Sequence, residues 1–202
     1  MSTTTVSLPE RMLAHFKHLA EGTPLSAKAL LGMGSRAAVD QALSRLTRGG
    51  VLSRVARGVY VRPRKTRFGL VHPETATLVQ AWAAARAEIV VPAGASEANG
   101  LGLTRQVPIR SVYLTSGPNR TLQLGGQTVE LQHAPGWKLA LPGQRAGAAL
   151  RAVEWLGERH APEAVVKLRA ALSGSERQAL LGAIRGHMPA WLAASMAALA
   201  AG

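Results

Sequence analysis

The stretch from Ser35 to Pro63, SRAAVDQALSRLTRGGVLSRVARGVYVRP, constrains the fold of this chain more than any other. Ala38, Val39, Ala42, Leu43 and Leu46 recur at helical spacing and make one apolar stripe, with Arg36, Asp40, Gln41, Ser44, Arg45 and Arg48 on the opposite side. Ser35 supplies an N-cap oxygen. Gly49-Gly50 supplies a left-handed stop. Val51 to Ala56 and Val59 to Val61 are β-rich runs around Arg57-Gly58, a tight hairpin. A short amphipathic helix running into a ribbon studded with arginine is the pattern of a helix presented to a duplex groove with a basic wing beside it.

The residues upstream complete that pattern. Ser7 and Glu10 have capping-box spacing. Met12, Leu13, Phe16, Leu19 and Ala20 then recur as a helix that ends at Gly22. Ser26 caps a short second helix, Ala27 to Leu31, stopped by Gly32, and Gly34 permits a sharp turn before Ser35. Three helices and a hairpin predict a winged helix-turn-helix over residues 1–66.

Charge separates a DNA-reading helix from an ordinary solvated one. The chain carries a formal +13 and a pI near 11.6, which disfavours a compact monomer unless an anionic partner offsets it. Nucleic acid, an anionic membrane and an acidic protein are the candidates. Residues 1–68 hold 12 Lys+Arg and 3 Asp+Glu, a net +9; residues 69–202 hold 12 and 8, a net +4. The excess therefore lies in the third that contains the Ser35–Pro63 pattern. On the helix, Ser35, Arg36, Gln41, Arg45 and Arg48 are the candidate DNA contacts, with Gln41 suited to adenine and Arg36 and Arg45 to guanine or phosphate. On the wing and an exposed basic linker, Arg54, Arg57, Arg62, Arg64, Lys65 and Arg67 are candidate phosphate or minor-groove contacts.

Beyond the linker the pattern changes. Residues 67–202 read as a mixed α/β domain: an alanine-rich helix over 73–87, a short strand over 88–91, a short helix opened by Pro92 and Gly94, and strands over 110–115, 121–124 and 128–133. Gly125-Gly126 joins the last two strands as a hairpin. Gly143 to Gly147 reads as a flexible separator before a helical tail, about 144–202, with helices near 144–158, 162–171, 175–185 and 189–200. The fold class is thus α/β of the α+β kind.

Little in this half points to catalysis. Asp40 is the chain's single aspartate and the glutamates are scattered, whereas two-metal nucleases and nucleotidyltransferases need clustered carboxylates. The six histidines, His15, His18, His72, His133, His160 and His187, fall in unrelated contexts, so no metal or other cofactor is expected. Glu154 and Glu158, flanked by Arg151 and Arg159, read as surface ion pairs. Gly94 to Gly102 lacks the lysine and spacing of a phosphate loop and reads as turn and close packing. Ser116 to Arg120 reads as a β-turn. Trp82, Trp137, Trp155 and Trp191 read as core. The absence of cysteine suits a cytoplasmic protein. The first ten residues have no secretory pattern. The weakly charged run Gly186 to Gly202 is shorter than the roughly 20 residues of a membrane span.

Four motifs together resemble a known family. Leu43-Ser-Arg-Leu-Thr-Arg-Gly-Gly50 and Gly58-Val-Tyr-Val-Arg-Pro63 are shared by many winged helices, while Ala98-Asn-Gly-Leu-Gly-Leu-Thr-Arg-Gln-Val-Pro108 and Tyr113-Leu-Thr-Ser-Gly-Pro-Asn-Arg120 are more distinctive. Over roughly residues 8–140 the chain is similar to the AbiEi-type antitoxins of bacterial abortive-infection toxin–antitoxin systems. The resemblance implies a winged helix that binds inverted repeats in its own promoter and represses it. It further implies a C-terminal domain that counteracts a nucleotidyltransferase-like toxin, directly or functionally, in phage defence. Arg105 and Arg120, within the two later motifs, are then candidate partner contacts. The alternative is a stand-alone DNA-binding regulator or recruitment module with a partner-binding C-terminal domain; a nucleic-acid enzyme is a third reading, disfavoured by the scattered carboxylates.

Overall fold

The computed structural model describes residues 6–20, 22–67, 69–71, 73–124, 126–183 and 187–201, with backbone alone for residues 65 and 70. The chain forms two compact units, Met1–Ala87 with Leu122–Gln127, and Glu88–Thr121 with Thr128–Gly202. The protein is of mixed α/β class.

The first unit opens with α1, Leu8–His18, whose Glu10 carboxylate accepts from the Ser7 N–H and hydroxyl at 2.8 Å in a capping box. Strand β1, Pro24–Ser26, leads into a 3-10 helix, Ala27–Met33, whose first turn is closed by Ala29 N–H donating to Ser26 Oγ at 3.2 Å. Helix α2, Arg36–Arg48, is capped by Ser35 Oγ accepting from Ala38 N–H and ends where Gly50 turns left-handed at φ +67°. Strands β2, Ser53–Ala56, and β3, Val59–Val61, form the hairpin through Gly58 at φ +78°. The sheet order is β1-β3-β2, antiparallel throughout. Met12, Phe16, Leu30, Val39, Leu43 and Leu52 are packed beneath it. This is a winged helix-turn-helix arrangement, as expected.

Several local expectations are corrected. The second helix is a 3-10 helix that runs through Gly32, the expected stop, to Met33 and ends at Gly34. Gly34 does not make a turn that demands glycine; its φ of 175° is extended, and what it supplies is room, since a Cβ there would lie 3.2 Å from Leu8 Cδ2. Residues 62–67 are not an open linker. Arg64–Thr66 is strand β4, paired antiparallel with β5, Gly69–Val71, and the Thr66 hydroxyl donates to the Gly69 carbonyl at 3.0 Å. Helix α3, Thr75–Ala84, follows and packs against β1, burying Leu78, Val79, Trp82 and Ala83. The Thr75 hydroxyl hydrogen-bonds the Gln127 side chain. The compact unit therefore runs past residue 66 to Ala87.

A four-stranded sheet is made of β6, Val90–Pro92, β7, Ser111–Thr115, β8, Arg120–Leu124, and β9, Gln127–His133, in the order β6-β7-β9-β8; β6, β7 and nearly all of β9 belong to the second unit, while residues 122–124 of β8 are counted with the first. β6 runs antiparallel to β7, and β7 parallel to β9. Gly126, at φ +86°, lies in the β8–β9 turn; residue 125, the other half of the expected glycine pair, is outside the described residues. Helix α4, Gly94–Gly100, follows β6, and the described residues of the unit also form 3-10 turns at Gly136–Leu139 and Glu158–His160 and the helices α5, Arg145–Leu156, α6, Ala161–Ala171, α7, Gly174–Ala183, and α8, Ala190–Ala200. Leu150, Val153, Leu168, Leu180, Leu192 and Met196 form their shared core. Residues 184–186, where α7 was expected to end, lie outside the described residues, as does His72. No helix among the described residues is long and apolar enough to cross a membrane.

Three more expectations change here. Gly147 is not a flexible separator but a buried residue of α5, where a Cβ would collide with the Leu141 and Ala140 carbonyls. Arg151 is not a surface residue: its side chain is 2% exposed and its Nη2 lies 2.8 Å from Glu97 Oε1 on α4, while Glu154 pairs instead with Lys138 at 2.7 Å. Trp155 is not core: it is 41% exposed and, with Val107 and Ile109, lines an apolar hollow of about 350 Å³.

Candidate nucleic-acid interface

Helix α2 buries Val39, Ala42 and Leu43 and leaves Arg36, Asp40, Gln41, Ser44, Arg45 and Arg48 in solvent, so the side assignment read from periodicity holds residue by residue. Four-residue spacing arranges the exposed side chains in two rows. Arg36, Asp40, Ser44 and Arg48 form one, tied along its length by Arg36 Nε donating to Asp40 Oδ2 at 3.1 Å and Arg48 Nη2 to Ser44 Oγ at 3.4 Å. Gln41 and Arg45 lie in the other.

All of the first row but Arg48 faces a groove of about 580 Å³ within the first unit. Arg36, Asp40 and Ser44 form one wall; Arg54, Arg57 and Tyr60 come from the wing; Lys28 comes from the 3-10 helix and Arg86 from the residues after α3. Five cations and a single carboxylate thus share one concavity. Such a wall of cations attracts an anionic chain, and converging guanidinium groups suit phosphate oxygens geometrically.

The wing is short and its tip is held. Ala27 N–H donates to the Gly58 carbonyl at 2.8 Å, and Arg86 Nη2 donates to the Arg57 carbonyl at 3.4 Å. Arg86 itself lies over the Trp82 ring, 4.1 Å from its centroid, and donates to the Trp82 carbonyl. A guanidinium stacked on an indole is oriented in advance, so the main chain of the wing tip is fixed while the Arg57 side chain stays exposed.

The expected site residues are therefore only partly brought together. Arg36, Arg54 and Arg57 meet in the groove. Ser35 is committed to its cap. Gln41, Arg45 and Arg48 are exposed on α2 but do not line the groove. Arg62 is half-buried, its carbonyl accepting from Gly22 N–H, rather than part of an exposed tether. Arg64 lines a separate recess with Glu74 and Thr77, and Arg67 is exposed at the β4–β5 turn. The side chain of Lys65 is outside the described residues. Lys28 and Arg86 are the groove members that sequence reasoning missed. Lys28 stands alone in a short apolar run and Arg86 lies beyond the predicted domain, so neither carries a local signal.

In the second unit Arg120 is engaged by Glu88 at 3.1 Å, and Thr115 donates to the same carboxylate. Gly117 lies against the Glu88 carboxylate and the Arg120 guanidinium, so a side chain there would have to push that ion pair aside. Arg105 is exposed. No group of three or more His, Asp or Glu able to hold a metal occurs among the described residues.

Comparison with curated proteins and with solved structures finds no match. A family model does match, over residues 11–179, which covers most of both units and stops short of α8. The chain belongs to DUF6088, a family of unknown function.

Proposed function

We propose that the chain binds duplex DNA through α2 and the basic groove, and acts as a transcriptional repressor of its own promoter. The observation that carries this reading is the convergence of Lys28, Arg36, Arg54, Arg57 and Arg86 beside the exposed face of α2. The groove cations would hold phosphates and set register, and the α2 side chains would read base edges. Asp40 is the one carboxylate among the residues that line the groove.

The later motifs, Ala98–Pro108 and Tyr113–Arg120, extend the proposal. By resemblance to the AbiEi-type antitoxins, the second unit counteracts a nucleotidyltransferase-like toxin, and the protein works in the cytoplasm without cofactor or catalysis of its own. The alternative, a stand-alone regulator or recruitment module, differs only in what the second unit does.

The test is a gel shift with the duplex upstream of the chain's own gene. Binding is expected to weaken steeply with salt, because each phosphate neutralised releases condensed counterions. Replacing Arg36 or Arg45 by Ala is expected to cost about 1–3 kcal/mol where the residue reads a base. Failure to shift any duplex at low salt would end the DNA-binding reading. Co-expression with the neighbouring gene product decides the second part: rescue of growth supports the antitoxin, and a complex without rescue supports the recruitment module.

A further inference from the structure

Asp40 is the chain's single aspartate, and it stands where a phosphate-binding groove should least tolerate one. It lies in the fifth position of α2, half exposed, with Arg36 one turn before it and the cations Lys28, Arg54, Arg57 and Arg86 around the same concavity. A carboxylate facing a phosphate backbone is repelled. The groups on a duplex that it can satisfy are the exocyclic amines of cytosine and adenine in the major groove, and cytosine N4 is the donor that acidic side chains take up. Its neighbour supplies the complement. Arg36 gives its Nε to Asp40 Oδ2 at 3.1 Å, which leaves both Nη groups free of that bond. Two parallel Nη donors match the N7 and O6 acceptors of guanine.

We infer that Arg36 and Asp40 are a specificity-determining pair that reads guanine and a cytosine amine at adjacent positions of the major groove, with Asp40 bracing Arg36. This inference rests on the DNA-binding reading and adds base identity to it. It assigns the groove two functions: Lys28, Arg54, Arg57 and Arg86 hold backbone, while the Arg36–Asp40 row selects sequence. A surface ion pair that merely supports the helix would leave base preference untouched.

The experiment selects duplexes from a pool with a randomised core, using the full chain and its Asp40→Ala and Asp40→Asn variants, and then measures affinities for single-base replacements of the selected site. The wild-type chain is expected to lose about 5- to 150-fold in affinity when the guanine read by Arg36 is replaced. Asp40→Ala is expected to bind unselected duplex more tightly, having lost a repulsive charge, while its discrimination at the guanine and the adjoining cytosine falls toward one. Asp40→Asn is expected to shift the cytosine position toward adenine, which an amide pairs with through both its groups. Unchanged base preference in Asp40→Ala, with or without a gain in affinity, overturns the assignment. Wild-type selection of a sequence without guanine overturns it as well. Failure of the wild-type chain to retain any duplex at low salt would instead remove the DNA-binding reading on which it stands. The pair is exposed, so thermal unfolding of the variants should match wild type and certify that they fold.

Discussion

A guanidinium that is 2% exposed has to find partners for all its donors inside the protein. Each nitrogen of Arg151 has one: Nε and Nη2 donate to Glu97 Oε1 at 3.1 and 2.8 Å, and Nη1 donates to the Lys138 and Ala140 carbonyls. The residue joins α5 to α4 and to the chain before α5. Arg151→Ala should destabilise the second unit by about 3–5 kcal/mol, because it strands Glu97 as an uncompensated charge. The double variant Arg151→Met with Glu97→Gln should recover much of that loss, and denaturant unfolding of the two variants measures the difference. None of this was legible in the sequence. Arg151 sits three residues before Glu154 on an amphipathic helix, and that spacing reads as surface pairing until the tertiary partner is known. A capping box, by contrast, is local and legible: the Ser7–Glu10 spacing stands in the sequence and its hydrogen bonds stand in the structure. Hydrogen bonds from the Ser7 and Ser173 side chains and N–H groups hold the Glu10 and Glu176 carboxyls below the ordinary carboxylate range. A lowered folded-state value contributes stability that is present above the unfolded value of about 4.5 and is lost as pH falls through the folded value. Acid titration followed by nuclear magnetic resonance should therefore show Ser7 and Ser173 amide signals shifting together with Glu10 and Glu176, at a pH below the ordinary glutamate midpoint.

At the scale of elements, what the sequence revealed depended on whether an element carried its own punctuation. Helix α2 has a serine cap, a stripe of five apolar positions and a glycine stop, and each survives in the structure. Strand β1 has none of these: it is three residues long and begins at Pro24, so only its pairing with β3 makes it a strand. The β4–β5 hairpin was hidden by its composition, since Arg64, Lys65 and Arg67 look like a solvated run. The consequence is a different extent for the first unit. Helix α3 buries Leu78, Val79 and Trp82 and packs on β1, and each fully buried side chain of this kind stabilises by about 1.5–3 kcal/mol. A fragment ending at residue 66 should accordingly melt well below one ending at Ala87, by circular dichroism. Equal melting would mean that α3 adds nothing to the winged helix. The same comparison bears on the wing, because Arg86, absent from the shorter fragment, holds the Arg57 carbonyl. In the full chain, Arg86→Ala should leave α2 intact and broaden the amide signals of Arg57 and Gly58.

At the scale of the whole molecule, net charge points to a region and says little about which residues share a groove. The first 68 residues carry +9 and supply all of the groove's lining but Ala85 and Arg86. Yet Lys28 and Arg86 are 58 positions apart and join one concavity only through folding, while Arg62, inside the densest basic run, is half-buried. The distinction has a measurable form. A cation that holds phosphate lowers the salt slope when it is removed, by roughly 0.9 per contact, and weakens all sequences alike. Lys28→Ala, Arg54→Ala and Arg57→Ala should each behave so. Gln41→Ala should change base preference and leave the slope in place. The triple variant lacking Lys28, Arg54 and Arg57 then separates the two halves of the proposed function. It alters only the groove, so a toxin-neutralising activity that resides in the second unit should persist when the variant is expressed from an unrelated promoter, while repression of the native promoter is lost. If neutralisation disappears together with repression, the protection was exerted through DNA all along. The second unit, whose Arg120 is already engaged by Glu88, would then have no separate antitoxin role.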